Sequence, residues 1–142
     1  MTPYRLEFEL PGLPKMANPS GAKSTHWRYA YEEVSRWHMA VVGLVARRRP
    51  AKPLDRYTLE LTRFSSSEPD YDGLVRGFKS IVDGLRLAGV IVDDKLSNSG
   101  PWVCDWMKAK PKEGKIKVVV IEKNTCIPYA PGISELKQNV GL

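Results

Sequence analysis

Between Leu74 and Ala88, the apolar residues Leu74, Phe78, Ile81, Leu85 and Ala88 recur at three- and four-residue intervals. That spacing commits the stretch to an amphipathic helix with one buried face. The opposite face carries Asp72, Arg76, Lys79, Asp83 and Arg86 at the same spacing. Val90-Ile91-Val92 then reads as a short buried strand ending in Asp93-Asp94. Upstream, Pro69 discourages helix and keeps the approach to Asp70 extended. In an extended segment Asp70 and Asp72 point to the same side. If the strand returns along the helix as a hairpin-like unit, its acids approach the helix start. Up to four carboxylates then converge, with Lys79 about two turns along. Clustered carboxylates repel one another unless a cation or proton lies between them. Hard oxygen ligands of this kind suit magnesium or manganese better than zinc.

The arrangement resembles the RusA family of Holliday-junction resolvases, especially its phage-borne members. The family pattern is Asp-x-Asp-Asn-Leu, a Lys ahead of a helical Asp-x-Leu, and a Gly-apolar-apolar-apolar-Asp-Asp turn. Here it reads Asp70-Tyr71-Asp72-Gly73-Leu74, then Lys79 to Asp83-Gly84-Leu85, then Gly89 to Asp93-Asp94. Order, spacing and apolar filling match together, over about a fifth of the chain. Gly73 stands where the family usually has Asn, and Ser65 to Glu68 stands where some members carry arginines. The resemblance implies a small α+β domain with a mixed β-sheet and two main helices, acting as a homodimer. It also implies magnesium-dependent cleavage of four-way DNA in recombination and repair, leaving 5′-phosphate and 3′-hydroxyl ends. Asp70, Asp72 and Asp94 are then the leading metal ligands, Asp93 a weaker fourth, and Lys79 the cation that stabilises the transition state. A polar loop near the site implies DNA contacts from Asn18 and Lys23, joined by Lys15, His26 and Arg76.

The rest of the chain supports a single domain over residues 1–142, with 124–142 an irregular tail. Tyr4 to Leu10 alternates like a half-buried strand, and a loop rich in Pro and Gly follows to residue 25. Thr25 is placed to cap a helix running to about Arg48, with Trp27, Tyr31, Val34, His38, Val41 and Val45 as its apolar stripe. Trp37 and Leu44 widen that stripe, and His38 falls on it as a core histidine. Arg47-Arg48-Arg49 complements the helix dipole and is also a cluster suited to phosphates. Strands are predicted at Tyr57 to Phe64, Trp102 to Lys110 and Ile116 to Ile121, with a hairpin-like turn at Lys112 to Lys115.

Lys and Arg number 22 against 16 Asp and Glu, for a formal charge of +6. That excess favours a polyanionic partner. Cys104 and Cys126 are the only cysteines, which suggests free thiols and a cytoplasmic protein. They lack the partners of a zinc site. No apolar run approaches the length of a membrane span.

Each acidic feature alone has a plainer reading. Asp70 or Asp72 makes a good N-cap, Asp93-Asp94 a solvated turn, and Lys79 an ordinary helix charge. Two other classes therefore stay open. One is a basic DNA-binding protein of the same fold without catalysis. The other is a different Asp-x-Asp enzyme such as a nucleotidyltransferase, for which the chain offers no Gly-rich phosphate loop.

Overall fold

A computed structural model describes residues 2–14 and 26–123, with the backbone alone for 26–30. The elements run β1 (Arg5–Pro11), α1 (His26–Val45), β2 (Tyr57–Ser65), α2 (Tyr71–Leu87), α3 (Leu96–Ser99), β3 (Val103–Lys108) and β4 (Lys115–Glu122). The four strands form one mixed sheet in the order β1-β4-β2-β3. β4 pairs antiparallel with both β1 and β2, while β2 and β3 pair in parallel. The chain is thus a small α+β protein with a four-stranded mixed sheet and three helices. No helix among the described residues is long and apolar enough to cross a membrane.

Alternation decides which side of the sheet is covered. Leu6, Phe8 and Leu10 of β1, Leu59 and Leu61 of β2, and Ile116, Val118 and Val120 of β4 are buried in one cluster. The residues between them, such as Arg5, Glu7, Glu9 and Glu60, face solvent. Helix α2 adds Leu74, Phe78, Ile81, Val82 and Leu85, none more than 6% exposed. Burying five such side chains contributes on the order of 10 kcal/mol before chain entropy opposes it.

Helix α2 ends where its glycine requires. Gly89 has φ +82°. Its N–H reaches the Arg86 carbonyl at 3.1 Å, and Val90 N–H reaches the Leu85 carbonyl at 3.0 Å. This is a Schellman termination, which needs a left-handed residue just past the cap. The chain then turns back along the helix.

Three expectations change on contact with the fold. Val90-Ile91-Val92 does not form a strand of the sheet. It makes an isolated parallel bridge through Ile91 to Leu54, with Val92 half-exposed. The turn at Lys112 to Lys115 is not a hairpin, because β2 lies between β3 and β4. Since β3 runs parallel to β2, both end on the same side. The segment after β3 must therefore pass over the end of β2 to begin β4, across about 10 Å, or two strand spacings. Finally, the buried stripe of α1 is Trp37, Val41 and Val45, whereas Tyr31 is 70% and Leu44 41% exposed. Tyr31 and Val34 find little to pack against among the described residues, so helical spacing there overstates burial. His38 is only half-buried. Thr25, Cys126 and the 124–142 segment lie outside the described residues.

Candidate functional site

Helix α2 organises the acidic residues. Asp70 is its N-cap, with extended backbone, and accepts the Gly73 N–H at 3.2 Å. The cap is therefore Asp70 rather than Asp72, which stands in the first turn where a negative charge complements the helix dipole. Asp72 pairs with Arg76 at 3.2 Å, and its side chain is 79% exposed.

Asp93 and Asp94 come back onto the same helix. Tyr57, buried at the start of β2, donates its hydroxyl to the Asp93 carbonyl at 2.7 Å and fixes the turn from below. Burial pushes the Tyr57 phenol well above its ordinary pKa, so it stays a donor. Asp93 Oδ1 accepts the Asp94 N–H at 2.7 Å, and the Asp93 carboxylate lies 3.8 Å from Arg86. Asp94 points at Lys79. The Lys79 ammonium bridges Asp94 and Asp83, the latter at 3.0 Å.

The returning acids therefore meet α2 in its middle, not at its start. From Asp70 to Lys79 the helix axis covers roughly 13 Å. The expected convergence of four carboxylates is replaced by two groups: Asp70 and Asp72 at the first turn, and Asp93 and Asp94 around Lys79, Asp83 and Arg86. The reason lies in long-range anchors, Tyr57 and Leu54, that set where the returning segment lands.

Among the described residues, no group of three or more His, Cys, Asp or Glu is arranged to hold a metal ion. The donor chemistry nevertheless suits a hard cation. Magnesium is ordinarily held by one or two carboxylates with waters and substrate phosphates rather than by an all-protein cage. Asp70 and Asp72 provide exposed carboxylates of that kind. Lys15, Asn18 and Lys23 lie outside the described residues, and His26 is described only as the first residue of α1.

Arg63 carries no expectation from the sequence. It occupies an inward position of β2 after Leu59 and Leu61, and its Nε is buried with no hydrogen-bond partner among the described residues. Its NH1 group donates to the Pro14 carbonyl at 3.5 Å. A charged residue in phase with buried leucines was the available signal.

Lys79 and Asp94 give the site a defined pH response. Partial burial disfavours the ammonium, but the hydrogen bonds and charges of Asp94 and Asp83 outweigh it and raise the Lys79 pKa. The Lys79 ammonium in turn holds the Asp94 carboxyl below the ordinary carboxylate value, against the opposing effect of burial. A depressed carboxyl pKa contributes stability that is present above about pH 4 and is lost as pH falls through the folded-state value. The raised Lys79 value contributes stability present below about pH 10 and lost as pH rises beyond it. In metal-free protein, Lys79→Gln is expected to lower stability at pH 7 by up to about 1 kcal/mol, Lys79 being half-exposed. The wild-type Tm should also fall more steeply than the variant's between pH 5 and pH 3. Parallel acid limbs in the two proteins would show that the bridge contributes nothing.

Compared with models of known protein families and with curated proteins, the chain matches none.

Proposed function

We propose that this chain is a magnesium-dependent endonuclease of the RusA type, cutting four-way DNA junctions as a homodimer. The observation that carries the proposal is the meeting of the motif's separate pieces on one helix. Asp70 and Asp72 begin α2, Lys79 and Asp83 follow on its exposed face, and Asp94 returns to Lys79. A chain with +6 net charge that concentrates acids there has a reason to hold a cation beside a polyanion.

In this reading Asp70 and Asp72 hold the divalent ion. The bound ion supplies Lewis acidity toward the phosphate and acidifies an attacking water. Lys79, kept protonated by Asp83 and Asp94, offers a fixed cation to a phosphate farther along the strand, about 13 Å from the ion's carboxylates. Arg76, one turn before it, neutralises a neighbouring phosphate. Cutting two strands symmetrically requires two sites, hence a twofold dimer.

The second reading is a DNA binder of the same fold without catalysis. The pairing of Asp72 with Arg76 and of Asp94 with Lys79 favours it, since each acid already has a cation.

A labelled synthetic four-way junction incubated with magnesium decides between them. Paired cuts on the junction, absent from linear duplex and with chelator, are expected. Junction binding without cleavage would leave the inert binder, and neither binding nor cleavage would remove nucleic acid as the partner.

A further inference from the structure

We infer that an open basic groove at the carboxyl end of β2 and β3 is the track for the phosphodiester backbone of the DNA strand. This deepens the nuclease reading and rests on it. The groove has a volume of about 920 Å³, and Lys108, Lys110, Lys115, Glu113 and Phe64 are among its lining residues.

The fold explains why these residues gather. The segment from Lys108 to Lys115 passes over the end of β2 because β3 and β4 flank that strand on opposite sides. Its lysines thereby line one groove with Phe64 and Ser66 at the sheet's end. In open sheets, the carboxyl ends of parallel strands, with the helix that starts from one of them, form the usual ligand-binding edge. Here that helix is α2, and Asp70 is its first cap. From Ser66 to Asp70 the chain can span at most about 14 Å. That distance corresponds to about four nucleotides of rise along one strand. A strand lying in the groove therefore reaches the acids without leaving the surface.

The chemistry favours a polymer backbone over a small ligand. Lys115 is committed, lying 3.2 Å from Glu9 and 5.0 Å from the Phe64 ring centroid. Lys108 and Lys110 are exposed and have no carboxylate partner among the described residues. Two free ammonium groups on flexible stems, in an open trough with one glutamate, attract phosphates without reading bases. The groove's floor is tied down. Trp106 Nε1 donates to Ser65 Oγ at 2.9 Å, and Ala109 N–H to the Ser65 carbonyl at 2.9 Å. Holding the groove next to the Asp70 loop in this way keeps their separation constant.

The test measures binding of a fluorescent four-way junction across a salt series, without magnesium. It compares wild type, Lys108→Ala with Lys110→Ala, and a charge-matched control, Arg5→Ala with Arg56→Ala, at the opposite end of the sheet from the groove. The lysine variant is expected to bind about tenfold more weakly near 100 mM salt, with a log–log slope shallower by about 2. The arginine control is expected to stay within about twofold of wild type. Lys108→Gln with Lys110→Gln, which keeps the aliphatic stems, should reproduce the loss with an unchanged Tm. Equal losses in the lysine and arginine variants would overturn the groove, since net charge alone would account for them. Wild-type binding with no loss in the lysine variants would overturn it and leave the nuclease reading standing. Absence of wild-type binding would overturn both.

Discussion

Asp70→Asn and Asp72→Asn are each expected to reduce junction cleavage by at least about 100-fold while leaving stability nearly unchanged. The two halves of that expectation have separate causes. Cleavage falls because an amide oxygen carries no net charge and binds a hard cation poorly. Stability holds for a different reason at each position. Asn caps a helix about as well as Asp, so Asp70→Asn keeps the bond to the Gly73 N–H. Asp72 contributes one exposed ion pair with Arg76, whose loss costs a few tenths of a kcal/mol. Asp70→Ala separates the two roles further. It should lose cleavage and also about 1 kcal/mol, because the cap goes with the charge. Wild-type cleavage by Asp70→Asn would reduce Asp70 to a helix cap and leave the metal to other residues.

How far the site could be read from the chain depends on whether its partners are local. Leu74 to Ala88 gave both faces of α2 correctly, since period and burial are decided within the helix. The landing point of Asp93 and Asp94 was not legible. It depends on Tyr57 and Leu54, more than thirty residues upstream, and no spacing rule couples them. The hairpin expected at Lys112 to Lys115 failed in a related way. Turn residues signal that a chain reverses, not which strand lies between its two arms, and here β2 takes that place. Lys108 and Lys110 looked like ordinary polar positions at the end of a strand. Their relation to Asp70 exists only because β3 joins β2 in parallel.

Gly84→Val is expected to destabilise the protein by about 3 kcal/mol, lowering Tm by on the order of 10 °C. Helices α1 and α2 approach closely at this position. A Cβ on Gly84 would lie 2.9 Å from Val41 Cβ and 3.4 Å from His38 Cα. Neither obstacle is the mobile end of a side chain, so relief requires the helices to separate. Gly84→Ala isolates the effect. Alanine favours a helix by about 1 kcal/mol over glycine, yet the steric cost at Gly84 should outweigh that gain. Gly43→Ala on α1 meets nothing within 4 Å among the described residues and should realise the gain, raising stability by up to about 1 kcal/mol. Opposite signs for one substitution on two packed helices would locate the constraint at their contact, and a stabilising Gly84→Ala would show that the contact yields. The consequence reaches the acids. Gly84 adjoins Asp83, and Lys79 lies little more than a turn away, so displacing α2 there shifts the bridge to Asp94. If that bridge positions Lys79 for phosphate, Gly84→Ala should slow cleavage well below the Gly43→Ala rate at temperatures where both proteins remain folded.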